Sequence, residues 1–161
     1  MRLFTTQMEA ARKGIVTEEL KKVAKKEQMT VEELMPLVAE GKVVICANKK
    51  HTCINPQGVG SMLKTKINVN LGVSRDCKDY DMEMEKVMEA VKLGAHAIMD
   101  LSSHGDTIPF RKKLISECPA MIGTVPVYDS VIHYQRDLAT LTAKDFIDVV
   151  RLHAEDGVDF V

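Results

Sequence analysis

Asparagine is depleted in β-strands, yet the stretch Thr65-Lys66-Ile67-Asn68-Val69-Asn70-Leu71-Gly72 sets two of them at period two among apolar residues. An amide side chain is donor and acceptor at once, so Asn70 can hydrogen-bond a buried polar ligand, or cap a loop, or face water on an edge strand. Two further polar groups sit where strands should end: Met99-Asp100 with Ser102, Ser103 and His104, and the run from Thr124 to Tyr128. Asp100 either orients a ligand there or is a salt-bridged structural carboxylate. His51, His104 and His133 are candidates for acid–base work or metal ligation, but none has a second ligand at H-x-x-x-H spacing, which argues against a metal. Cys46, Cys53, Cys77 and Cys118 contain no C-x-x-C pair and read as reduced, unreactive thiols. The glycine pair of "GVGSM" (58–62) reads as a loop; no helix start behind it makes a phosphate cradle.

Elements must place these groups. Thr6 with Glu9, Thr17 with Glu18 and Glu19, and Thr30 with Glu33 predict three helices in the first forty residues, ending near Gly14, before Thr30 and near Gly41. Pro36 should bend the third or delay its start. From residue 42 the pattern alternates. "KVVICAN" (42–48) is an apolar run that suits a strand buried on both faces, and "TKINVNLG" is the second strand. Met84, Val87, Met88 and Val91 share one helix face. Then come the strand "AHAIMDL" (95–101), a helix near 107–117, the strand "MIGTV" (121–125), a helix from Thr142 to Gly157, and a strand beginning "VDFV" (158–161).

Strand starts spaced by one βα unit predict parallel strands. An open doubly wound sheet and a (β/α)8 barrel share this rhythm. The first βα junction lacks the G-x-G-x-x-G of the former, whereas a complete barrel takes about 250 residues. The expectation is therefore an α/β chain with a helical region (1–41) and a partial barrel (42–161) that enters its fifth strand, being either a piece of something larger or a part completed by other chains.

The balance of 22 basic and 23 acidic residues leaves a net charge of −1 and no basic stripe for nucleic acid. No apolar run is long enough to span a membrane, and "MRLFTTQMEAARKG" lacks the apolar core of a signal peptide. A cytoplasmic protein with no membrane partner is expected.

Five stretches carry a resemblance: "GIVTEEL" (14–20), "ANKKH" (47–51), "TKINVNLGVS" (65–74), "GAHAIMDLSS" (94–103) and "IGTVPVYDS" (122–130). In order and spacing they resemble the N-terminal part of the phosphomethylpyrimidine synthase (ThiC) family, from about residue 4 to 161. The resemblance implies a radical S-adenosylmethionine lyase of thiamine biosynthesis that rearranges 5-aminoimidazole ribotide into 4-amino-5-hydroxymethyl-2-methylpyrimidine phosphate. Its core would be a (β/α)8 barrel, and it would act as a homodimer at full length. It also implies that Asn70, Met99 and Tyr128 contact the ribotide, with Asn68 and Asp100 in support. On that reading Lys66, Asn68 and Asn70 point into the barrel.

The family's zinc-binding histidines and its C-x-x-C-x4-C motif for a 4Fe-4S cluster would lie beyond Val161, so neither cofactor is expected to be fully ligated here. "CANKKH" (46–51) departs from the family's "PANINH", and "DLSSHGD" (100–106) from its "DLSTGG". The first departure is expected to bring Lys49 and Lys50 to the site entrance. Both leave open a 5-hydroxybenzimidazole synthase using the same ribotide. A non-catalytic half-barrel that binds a ligand or a partner chain is the remaining alternative.

Overall fold

A computed structural model describes residues 3–161, which form two compact units. One runs to Ala47 and resumes over Pro56–Lys66; the other comprises Asn48–Asn55 and Ile67–Val161.

The first unit begins with α1 (Gln7–Arg12), α2 (Glu18–Glu27) and α3 (Val31–Ala39). Each starts at a threonine whose hydroxyl accepts from a backbone N–H three residues on, satisfying one donor the helix cannot. At Thr30 the Glu33 carboxylate returns the bond, so α3 starts at once after its cap and runs through Pro36. The helices bury Leu20, Val23, Leu34 and Val38 against Val43 and Ile45.

Those last two residues belong to β1 (Val43–Cys46), which pairs antiparallel with β2 (Gln57–Gly60). This corrects two expectations. The apolar run at 42–48 is not the first strand of a parallel sheet, because only one face is covered and Val44 is 52% exposed. The glycine pair is strand rather than loop: a Cβ on Gly58 would come within 2.7 Å of Val23 and Leu63, so the helix layer demands glycine there.

Lys66 closes this unit, its ammonium 2.6 Å from Glu27 with both side chains nearly inaccessible. It is thereby withdrawn from the polar row expected with Asn68 and Asn70.

The second unit carries β3 (Asn68–Leu71), α4 (Tyr80–Lys92), β4 (Ala97–Asp100), α5 (Ile108–Glu117), β5 (Met121–Thr124), α6 (Pro126–Tyr134), a 3-10 turn (Leu138–Thr140) and α7 (Ala143–Asp156). β3, β4 and β5 are parallel and adjacent in chain order. The expected last strand is present as a parallel bridge from Gly123 to Phe160 on the far side of β5. The strands thus progress across the sheet in one direction, without the reversal of a doubly wound sheet.

Register explains the two faces. Val69, Ile98 and Ile122 lie side by side and pack with Met84 and Val87 of α4 and Phe110, Leu114 and Ile115 of α5. Period two then turns Asn70, Met99 and Gly123, the next row, to the other side.

α6 is a helix not read from the sequence. Its start, Val125-Pro126, offers no capping side chain, and β-branched residues fill its middle. Pro126 suits the first helical turn, where an N–H would be unpaired anyway.

Candidate functional site

The C-terminal edge of the parallel sheet gathers the residues singled out above. Asn70 and Met99 are register partners, so they are neighbours on the face turned away from the helices. Asn68, on the same face, donates its amide N–H to Asn70 Oδ1 at 2.9 Å. With that oxygen engaged, the Asn70 amide still has two N–H donors. Both asparagines are exposed and Met99 is half-buried.

Gly123 completes the row, and the Phe160 ring lies against it: a Cβ there would sit 2.4 Å from two ring carbons. Tyr128 follows β5 in the first turn of α6 and is 46% exposed, its N–H bonded to Val125 O at 3.0 Å.

Asp100 sits on the opposite face from Asn70 and Met99, as the alternation requires, and is buried. Its Oδ1 accepts from the Ser102 N–H at 2.9 Å and from the Ser102 hydroxyl at 2.5 Å. Burial pushes its carboxyl above the usual range, against the pull of those bonds and of Arg111. The Ser102 hydroxyl in turn accepts from Val73 N–H, joining the turns after β3 and β4. Gly72 is required at that junction, since its φ of +140° and a Cβ only 2.5 Å from Ser102 N exclude a side chain. Asp100 therefore shapes the rim, and no contact of its carboxylate with the exposed row is seen.

An open groove of about 490 Å³ lies between the turn after β4 and α6, lined by Gly105, Asp106, Ile108, Asp129, His133 and Gln135 among others. Beneath it runs a buried polar network that sequence reasoning missed. Asp129 Oδ1 accepts from the Thr107 hydroxyl at 2.5 Å, while Oδ2 accepts from Arg111 Nη1 at 3.0 Å and lies 2.8 Å from His153 Nε2. His153 Nδ1 meets the Thr124 hydroxyl at 2.8 Å, and Arg111 Nε reaches Asp156 at 3.0 Å. Burial alone would raise the Asp129 carboxyl, but the bonds from His153 and Thr107 and the Arg111 charge outweigh it and hold it at about 2. The available signal was His153 at i+4 from Val149, on the buried stripe of α7.

The histidine candidates separate. His51 is buried, with Nε2 donating to Cys118 O at 2.7 Å and Nδ1 at 2.7 Å from Asp159 Oδ2, so it is a structural group. His133 lies edge-on to Tyr134 with ring centroids 4.7 Å apart, on the groove. His104 is in the turn after β4.

The segment 48–55 lies at the other end of the strands from Asn70. Asn48 N–H and His51 bond Asp159, whose Oδ2 also accepts from Ile122 N–H near the start of β5. Lys50 donates to Glu155 O at the last turn of α7. This corrects the expectation for Lys50: it is at the N-terminal edge of the sheet, not at a site entrance on the C-terminal edge.

Among the described residues no three His, Cys, Asp or Glu side chains group to hold a metal ion. Burial raises the Cys118 thiol to about 11 and also pushes Cys53 up, whereas a cluster ligand must be a thiolate. Since no three ligands gather among the described residues, the thiols there do not fit an iron–sulfur cluster. No described helix is long and apolar enough to cross a membrane.

Parallel strands advancing in chain order, with a polar C-terminal edge, define an α/β protein of the βα-repeat class. The chain belongs to the Radical SAM ThiC family, whose model matches residues 6–161. It is 58% identical to a phosphomethylpyrimidine synthase of Alkaliphilus oremlandii (strain OhILAs), over 98% of this chain and 36% of that protein. Similar enzymes of Clostridium kluyveri (strain NBRC 12016) and Clostridium botulinum (strain Hall / ATCC 3502 / NCTC 13319 / Type A) are 57% and 56% identical over the same shares. The resemblance read from the five motifs is borne out, and the chain spans about a third of the length of these relatives.

Proposed function

We propose that this chain supplies part of the substrate site of a radical S-adenosylmethionine enzyme of thiamine biosynthesis, with Asn70, Met99 and Tyr128 contacting 5-aminoimidazole ribotide. The observation that carries the reading is the register pairing of Asn70 with Met99 on the exposed sheet face, at the C-terminal edge where βα-barrel enzymes bind ligands. Asn68 holds the Asn70 amide by its hydrogen bond, and Asp100 supports the rim from the other face. The one-directional strand order is compatible with residues 67–161 being the opening βα units of a (β/α)8 barrel. The cluster, its bound S-adenosylmethionine and a zinc ion are assigned to parts of the protein beyond these residues, and this chain's share is to bind and orient the ribotide. A soluble cytoplasmic homodimer is the proposed state.

The test uses a protein of the relatives' full length that contains this segment. Calorimetric titration with aminoimidazole ribotide should show Asn70→Ala weakening binding by about 1–3 kcal/mol, the cost of leaving a ligand group without its partner. Unchanged affinity in a folded variant would remove Asn70 from the site. Identification of the product by mass spectrometry separates the pyrimidine phosphate from 5-hydroxybenzimidazole, and absence of turnover by the reconstituted protein would favour a binding module.

A further inference from the structure

We infer that Asp129 is a positioning residue for the candidate site: the hub of the Thr107–Arg111–His153 network, it fixes the first turn of α6 and with it Tyr128. The inference rests on the proposed role of Tyr128 and goes beyond it. Three observations support it.

The network is located at the C-terminal edge, where it ties the turn after β4 (Thr107), α5 (Arg111) and α7 (His153) to a single carboxylate, and His153 in turn bonds the end of β5 (Thr124). A buried set of charges is weak evidence for stability, because apolar residues of like volume often serve as well. Its place at the ligand edge calls for another reason.

α6 has no capping side chain, since Val125 stands at its N-cap. The Ser130 hydroxyl bonds Pro126 O within the helix and does not anchor it to anything else. Besides its packing on α7, the helix is restrained against rotation about its own axis by Asp129, which is 8% exposed and held on both oxygens.

Tyr128 and Asp129 are consecutive helical residues, about 100° apart around the axis. With Asp129 directed inward, the direction of Tyr128 is set, and the residue is 46% exposed. Any turn of α6 that loosens Asp129 swings Tyr128 by the same angle.

The experiment is a double-mutant cycle in the full-length protein, read as affinity for aminoimidazole ribotide. Tyr128→Ala and Asp129→Asn are each expected to weaken binding about tenfold, and the double variant about tenfold as well, because contacting residues that act as a unit are not additive. Thr107→Val, which removes one bond to Asp129 with little change of shape, should give a smaller loss that also disappears in the Tyr128→Ala background. It carries the cycle if Asp129→Asn does not fold. Losses that multiply to about a hundredfold, or an Asp129→Asn protein that melts early yet binds normally, would overturn the inference. If Tyr128→Ala binds normally while Asn70→Ala does not, the inference falls and the site reading stands without Tyr128; if both bind normally, both fall.

Discussion

Asp159 offers the sharpest test of the N-terminal edge. Its carboxylate accepts from Asn48 N–H at 2.7 Å, from Ile122 N–H at 2.8 Å, and faces His51 Nδ1 at 2.7 Å, with both ring and carboxylate side chains fully inaccessible. Asp159→Ala strands two backbone donors and removes the partner of a buried ring. Each buried group left unmade costs about 1–3 kcal/mol, but relaxation and water entry prevent a full sum, so about 3–5 kcal/mol is expected. Asp159→Asn should be gentler. The ring must keep a proton on Nε2 to donate to the Cys118 carbonyl. Nδ1 can then accept from the new amide N–H, and Asn48 keeps its acceptor. Only Ile122 N–H meets the wrong group, at a cost of about 1–3 kcal/mol. Urea unfolding of the chain, followed by circular dichroism, reads the difference. At a slope of about 2 kcal/mol per molar, the alanine midpoint should drop by roughly 1.5–2.5 M and the asparagine midpoint by roughly 0.5–1.5 M. Equal losses for the two substitutions, or a loss under about 1 kcal/mol for alanine, would refute this hydrogen-bond accounting.

Other outcomes follow from the same fold. Gly123→Ala forces a methyl into the Phe160 ring at 2.4 Å and should cost about 1–3 kcal/mol by thermal unfolding, with amide exchange rising first at residues 158–160. Asp129, held at about 2 against an ordinary 3.8, contributes about 2 kcal/mol above the ordinary value that is lost as pH falls through the folded one. The stability gap between the wild type and Asp129→Asn should therefore narrow from pH 4 to pH 2. Asp100 acts in the opposite sense, since its raised carboxyl is relieved by protonation on acidification. Ile122→Ala, at a fully buried position of the sheet's helix-facing row, should cost about 2–5 kcal/mol. In thiol titration with a disulfide reagent, Cys118 should react only after denaturant is added.

Local signals were legible wherever one element decides its own form. The threonine caps at 6, 17, 30 and 142 were read correctly because each closes a bond within three residues. The strands at Val69, Ile98 and Ile122 were legible from β-branched and apolar runs that helices cover. Non-local partners were not legible. The run Val43–Cys46 looks the same whether it joins a parallel sheet or a hairpin, and its partner at Gly58–Gly60 looked like a loop because glycine carries no pattern. Asn70 and Met99 came from family motifs, and the register that makes them neighbours is a long-range fact. The Asp129 network was not read, since Thr107 and Arg111 at the start of α5, Asp129 in α6 and His153 in α7 meet only in the fold.

The segment 48–55 also bears on the order of events during synthesis. Asn48 and the carboxylate it bonds are 111 residues apart in sequence. At a synthesis rate of about 5–20 residues per second, roughly 5–20 s pass between the emergence of the two. Through that interval the His51 ring and the Asn48 amide have no Asp159 to receive them. The N-terminal edge of the sheet is thus completed only after β3, β4 and β5 are available to pair, and Asp159 acts as its latch.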